Sequence, residues 1–260
     1  MSFSLERGGF YGVVGKNGSG KTTLCALIRG FAPNFYKGTL TGSVLIHGKP
    51  TVDYEPGELS LRIGYVFQNP FNQISGVKDT VFEEVAFGLE NFGVPVEEIE
   101  RRVIEIMELT SITALAEKNP FELSGGQQQR LALASIIVLK PDILIIDEPT
   151  SQLDPEGTES VFEIIKTMKK EKKTILLVEH KVDLLAEYAD VILVLDEGRL
   201  VRMGPSDEVL ADERLIDYGV QLPQTAQLGN ALIRQGLSLE RPPVTEEQAV
   251  AALRRFVEVR

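Results

Sequence analysis

Residues 15–22 read G-K-N-G-S-G-K-T, and no other stretch of this 260-residue chain narrows the fold as much. The pattern G-x-x-x-x-G-K-[S/T] has physical meaning only where a strand runs into it and a helix leaves it. Both are expected: the apolar run 10–14 reads as a buried strand, and 22–30 as a short helix. A run of backbone N–H groups then converges with a helix N-terminus on anionic oxygens. Gly15, Gly18 and Gly20 let the backbone approach closely, Lys21 would reach β- and γ-phosphates, and Thr22 would ligate magnesium through its hydroxyl.

The rest of the composition bounds what such a loop can serve. The formal net charge is −11, so the chain is a poor candidate for gripping nucleic acid through its overall field. Local amides and one lysine can still hold a polyphosphate. Cys25 is the single cysteine, which excludes an internal disulfide, and the chain opens without a signal-peptide pattern; a reducing cytoplasm is the expected setting. Flanked by Leu24 and Ala26, Cys25 reads as a small buried hydrophobe. The most apolar run, 131–139, is far short of the ~20 residues that span a bilayer.

Along the chain, Phe3 and Leu5, the pair Gly8-Gly9 and the run 10–14 predict a hairpin leading into the buried strand. Further strands are expected at 42–50 and 62–67, with a turn-rich stretch between them. From 77 to 140 the pattern is helical, and over 96–109 it puts Ile99, Val103, Ile106 and Met107 on one face. The short runs 143–146, 174–178 and 191–195 lack alternation, as strands buried on both faces of a parallel sheet do. Helices expected at 155–170 and 181–188 alternate with them, which is α/β logic. Beyond about 221, Pro223 opens a helix ending near Gly236. Thr245 and Gln248 then form a capping box for a last helix with Ala249, Val250, Leu253, Phe256 and Val257 on one face. That stripe suits docking onto the chain's own domain, with a dimer contact as the alternative.

A second element completes a phosphate site. Residues 143–148 read I-L-I-I-D-E, a buried strand ending in two carboxylates. Asp147 can hold the magnesium shell, and Glu148 can polarise an attacking water as general base. Together with the loop they indicate magnesium-dependent nucleotide hydrolysis. Residues 123–127 read L-S-G-G-Q. Ser124 and Gln127 fit a capping box, but capping does not explain two glycines at a helix start, each weakening the helix by up to ~1 kcal/mol. Bare amides there are useful when something anionic must dock.

With these motifs in view, the chain resembles the ATP-binding cassette (ABC) ATPases over nearly its whole length. The ordered set is the phosphate loop at 15–22, Gln68 after a strand, L-S-G-G-Q at 123–127, Asp147 and Glu148, S-x-L-D at 151–154, and His180 after a strand. The resemblance implies a P-loop NTPase (RecA-like) α/β core with a helical subdomain at about 77–140. It also implies a shortened N-terminal antiparallel β part, a cassette over 1–220 and a C-terminal helical extension over 221–260. It implies ATP and Mg2+ as cofactors, with ATP held by Gly15, Lys16, Asn17, Gly18, Ser19, Gly20, Lys21, Thr22 and Thr23, and the metal by Thr22, Gln68 and Asp147. In a head-to-tail dimer, Ser124, Gly125, Gly126 and Gln127 of one subunit would meet the ATP of the other. Asp154 would organise the interface, Glu148 would act as base, His180 would hold the γ-phosphate, and Gln68 would sense it and connect hydrolysis to a membrane partner. Family members carry a further N-terminal stretch with an aromatic that stacks on adenine; no residue is assigned that role here, since Phe10 and Tyr11 read as core.

V-F-Q-N-P-F-N-Q (66–73), T-V-F-E-E-V-A-F-G-L-E-N (80–91) and V-E-H-K-V-D (178–183) resemble more narrowly the ATPases of energy-coupling-factor (ECF) transporters. That likeness implies uptake of a vitamin or metal ion. The partners would be a second ATPase, identical or paralogous, a transmembrane coupling protein received along 71–87, and a substrate-binding membrane subunit. The extension would help pair the ATPases, and the subunit would lie on the cytoplasmic face of the membrane, without nucleic acid. The alternatives are the ATPase of another ABC importer or exporter, or a soluble ABC ATPase. DNA-repair types need long coiled coils between loop and signature, and 21–124 carries no sustained heptads. His47 keeps a solvent-facing reading.

Overall fold

The computed structural model describes residues 1–257, apart from the side chains of Pro56 and residues 255–257. The last three positions of the expected tail, and the placing of Phe256 and Val257 on its apolar face, lie outside the described residues. In chain order the strands are β1 (Phe10–Val14), β2 (Leu45–Ile46), β3 (Lys49–Pro50), β4 (Ile63–Val66), β5 (Ile143–Asp147), β6 (Thr174–Val178), β7 (Val191–Asp196) and β8 (Arg199–Pro205). The helices are α1 (Lys21–Arg29), α2 (Pro56–Arg62), α3 (Val81–Asn91), α4 (Val96–Leu109), α5 (Gly125–Ile137), α6 (Pro155–Lys170), α7 (Val182–Tyr188), α8 (Ser206–Val209), α9 (Gln224–Arg234) and α10 (Glu246–Val257). The chain condenses into two compact units, residues 1–21 with 177–260, and residues 22–176.

In the first unit β1 is buried along its whole length and lies parallel to β7, Tyr11 opposite Val191 and Val14 opposite Val194. Burial on both faces is why neither strand alternates. β7 returns as the antiparallel β8 through Glu197 and Gly198, both at positive φ (46° and 74°), the backbone of a tight primed hairpin turn. β8 was not expected from the sequence. Its two arginines, glycine and proline mask an edge strand whose residues are alternately exposed and half-buried. Phe10, Leu177, Val178, Leu185, Ile192, Leu193 and Leu210 fill this core. The tail helices belong to it too: Pro242 and Pro243 sit so close to Gly229 of α9 that a Cβ there would meet them.

In the second unit β4 lies parallel to β5, Ile63 opposite Ile143 through Val66 opposite Ile146. α4 buries Ile99, Val103, Ile106 and Met107, as its periodicity predicts. α3 begins with a capping box between Thr80 and Glu83.

Four local expectations are corrected. Residues 1–6 form no strand, because the Tyr11 hydroxyl bonds the backbone of Glu6 (N–H 2.5 Å, carbonyl 3.1 Å) where a ladder would run. The stretch 42–50 shrinks to the two-residue pair β2–β3 around His47 and Gly48, both at positive φ. The turn-rich stretch before β4 contains α2, which starts on Pro56, a residue suited to a first helical turn. At the last helix Gln248 receives the N–H of Val244 rather than that of Thr245, so the box closes one residue early.

Gly64 of β4 is held by packing, not by conformation: a Cβ would run into Ile136 Cγ2 and approach Pro141 Cγ at 3.0 Å. Gly64→Ala is expected to lower stability by about 1–3 kcal/mol, read as a shift in the urea midpoint at unchanged slope.

Candidate functional site

The phosphate loop follows β1 directly, and its three glycines have left-handed or otherwise glycine-type backbone, with φ of 150° at Gly15, 79° at Gly18 and 102° at Gly20. A Cβ on Gly15 would strike the Leu195 carbonyl and sit 2.7 Å from Ser19 Oγ. The Lys21 ammonium is buried and donates to the carbonyls of Gly15 (2.9 Å) and Lys16 (3.2 Å). Ser19 is fully buried, with its N–H on the Lys16 carbonyl at 3.1 Å. Thr22 and Thr23 continue into α1 as exposed first-turn residues.

The β7–β8 turn braces this loop. Gly198 donates its N–H to the Ser19 carbonyl at 2.9 Å, and Lys16 pairs with Asp196 at 2.8 Å. That pair, with a hydrogen bond first among causes, raises the Lys16 pKa above the ordinary lysine value. Gly219, at φ 68°, stands against Lys16 from the other side, where a Cβ would come within 3.0 Å. The residues Asp196, Glu197 and Gly198 were not singled out in the sequence, because the loop pair Glu-Gly lacks the Asn-Gly or Asp-Gly signal of such turns.

In the second unit the β4–β5 register sets the carboxylates. Val66 faces Ile146, so Gln68 and Glu148 leave their strands at the same level, and Gln68 Nε2 donates to Glu148 Oε2 at 2.7 Å. Glu148 has φ 47°, a conformation that costs a non-glycine residue about 1–3 kcal/mol and is found where a side chain must be aimed. Asp147 is buried, and the Tyr65 hydroxyl donates to its Oδ2 at 3.1 Å. Burial first, then the charge of Asp147, pushes the Tyr65 hydroxyl far above the ordinary tyrosine value, so it stays a donor. The Cys25 thiol is pushed well up for the same two reasons, and stays an inert thiol. Tyr65 was invisible in the sequence, where it reads as one more residue of a buried strand.

The L-S-G-G-Q stretch starts α5. Ser124 is the N-cap, receiving the Gln127 N–H at 3.4 Å while Gln127 Oε1 receives the Ser124 N–H at 3.0 Å. Gly125 has open space around a built Cβ, and a Cβ on Gly126 would only touch Leu153 at 3.9 Å and the Gly157 Cα at 4.0 Å. Neither glycine has a positive φ. Asp154 caps α6 by accepting the Gly157 N–H at 2.8 Å.

His180 lies in the first unit, exposed just after β6. Glu179 beside it is buried and accepts the N–H groups of His180 (2.8 Å) and Lys181 (3.2 Å). His47 is exposed, as expected, and Phe10 and Tyr11 are core.

The donor set suits ATP with magnesium. Thr22, Asp147 and Gln68 offer a hydroxyl, a carboxylate and an amide oxygen, the Gln68 nitrogen being turned to Glu148. These are hard oxygen ligands of the kind magnesium takes alongside phosphate. Among the described residues no group of three or more His, Cys, Asp or Glu could hold a metal alone. No described helix is long and apolar enough to cross a membrane.

The chain is similar to known proteins in sequence and fold. The family described as ABC transporter matches residues 1–151. A Pyrococcus horikoshii protein provisionally named an ABC transporter ATP-binding protein is 43% identical over 98% of this chain and 89% of its own length. The energy-coupling factor transporter ATP-binding protein EcfA of Enterococcus faecium is 40% identical over 96% and 88%. Among solved structures, CbiO1 of Clostridium perfringens, part of the ABC transporter complex CbiONQ, superposes with a TM-score of 0.73 at 33% identity, over 91% of this chain and 89% of that one. The motifs, the strand-end carboxylates and these relatives converge: the chain belongs to the ABC transporter family, as a P-loop cassette that binds and hydrolyses ATP.

Proposed function

We propose that the chain is the ATPase subunit of an ECF-type importer, coupling ATP-driven closure of two cassettes to uptake of a vitamin or metal ion through membrane partners. The observation that carries the coupling is the 2.7 Å hydrogen bond from Gln68 to Glu148. One end is the residue implied to sense the γ-phosphate and the membrane subunit; the other is the residue implied to activate water. A shift of the segment beyond Gln68 therefore acts on the base directly.

In this reading the amides of residues 15–23 and the Lys21 ammonium hold the β- and γ-phosphates. Thr22, Asp147 and Gln68 would hold magnesium, which would supply positive charge to offset that of the phosphates. Tyr65 keeps the Asp147 carboxylate in one rotation. Glu148 takes a proton from the attacking water and His180 hydrogen-bonds the γ-phosphate. Ser124, Gly125, Gly126 and Gln127 of a second cassette close on the nucleotide, with Asp154 at the interface. Residues 1–220 form the cassette, about 77–140 its helical subdomain, and 221–260 an extension that helps pair the two. The EcfA and CbiO1 relatives support the importer reading, and the cassette MJ0796, solved as a dimer bound to ADP and Pi, supports the pairing. The subunit then sits on the cytoplasmic face of the membrane.

Glu148→Gln is expected to keep ATP binding and lower turnover by about 10²–10⁴-fold, the contribution of a general base. Equilibrium binding and steady-state hydrolysis check it, and near-normal turnover would remove Glu148 as the base. Gly126→Ala fits the space available and is expected to leave the protein at least as stable, since alanine favours a helix by up to ~1 kcal/mol. In a mixed dimer carrying Gly126→Ala in one subunit and Glu148→Gln in the other, the two lesions fall on the same nucleotide if the signature acts across the interface. Half the sites then stay intact, whereas lesions on separate sites leave none. Affinity capture of the tagged chain from detergent-solubilised membranes of its source is expected to bring down a polytopic coupling subunit and a small substrate-binding one; recovery of soluble partners alone would refute the importer assignment.

A further inference from the structure

Glu179 is 2% exposed, at the end of β6, and its Oε1 accepts the backbone N–H groups of His180 at 2.8 Å and Lys181 at 3.2 Å. A helix cap alone does not account for this. Lys181 is the N-cap of α7, and a capping side chain there would accept an N–H two or three residues further on, whereas Glu179 holds the N–H of the cap residue itself and of the histidine before it. A buried carboxylate loses its hydration, which is tolerable only where strong hydrogen bonds compensate. These two bonds reach the amide of the histidine itself and the one after it. They fix the 179–180 peptide plane, and with it the direction in which the exposed imidazole leaves the strand.

We infer that Glu179 is a positioning residue for His180. By clamping two successive amides it holds the imidazole where it meets the γ-phosphate. The inference rests on the role proposed for His180. Glu179 acts through the backbone of its neighbour rather than by touching nucleotide.

The test is a double-mutant cycle on ATP hydrolysis by the full chain. Glu179→Leu removes the acceptor at similar volume, and kcat is expected to fall about 10²-fold, the scale of a 1 Å misplacement, with KM for ATP unchanged. Glu179→Gln keeps an acceptor oxygen and is expected to recover most of kcat. His180→Ala with Glu179→Leu should be no slower than His180→Ala alone, because the clamp has nothing left to place. If the leucine variant does not fold, Glu179→Asp carries the same cycle, since it keeps the charge but draws the acceptor back by one methylene and so shifts the amides it holds. A lowered melting temperature with unchanged kcat would show a structural cap and overturn the inference, as would losses that simply multiply. Normal turnover in His180→Ala would instead remove the role of His180, and the inference with it.

Discussion

The site depends above all on the parallel register of β4 and β5. With Val66 opposite Ile146, both chains leave the sheet at one level, and Gln68 meets Glu148. The same register lets Tyr65 reach Asp147. Because side chains alternate across a strand, a one-residue slip would send Tyr65 to one face and Asp147 to the other. It would break the link from Gln68 as well. The register is held by the apolar content of both strands and by the packing at Gly64, where there is no room for one more carbon beside Ile136 and Pro141. A structural glycine thus protects a chemical distance at Gln68, four residues further along the chain.

Net charge and site chemistry operate on separate scales. The chain as a whole carries −11, yet the groups that the loop at 15–22 presents are uncharged amides and one buried ammonium. Dipoles fixed in place need no reorganisation when charge arrives, which is why such an arrangement works inside an acidic protein. The acids near the loop are used to hold it: Asp196 engages Lys16, and the adjoining turn fastens Ser19 through Gly198. Lys16 is therefore bound to the hairpin while Lys21 lies across its own loop.

The legible part of the protein was whatever shows in short runs of residue type. The glycines and lysine of 15–22, the apolar run ending in Asp147 and Glu148, and the 3.6-residue period of α4 all survive in one dimension. What could not be read depends on residues that look ordinary locally. Tyr65 matters because of a partner 82 positions away. Glu179 could be quoted as part of a likeness, but its burial and its grip on two amides exist only once the chain turns after β6. The expected N-terminal hairpin failed for a similar reason: alternation predicted a ladder, and a single side chain, Tyr11, took the bonds instead. β8 was hidden because an edge strand tolerates the arginines, glycine and proline that normally argue against one.

The glycines separate folding demands from functional ones. At 15, 18 and 20 the backbone has φ values that other residues avoid, so glycine there is required by the loop itself. At 125 and 126 the backbone is ordinary and a Cβ would meet open space or a normal van der Waals contact. Within one chain these two positions would gain stability from alanine. The sequence nonetheless keeps the first turn of α5 bare, directly after an N-cap whose hydroxyl and amide are already exchanged with Gln127. A helix start trimmed of side chains at a cost to its own stability makes sense when the surface it leaves open belongs to an interaction outside the chain, and an anionic partner is the kind its aligned amides favour. The two sets of glycines thus differ in kind: the loop at 15–22 needs glycine for its own backbone, the start of α5 does not, and only the second needs another molecule to explain it.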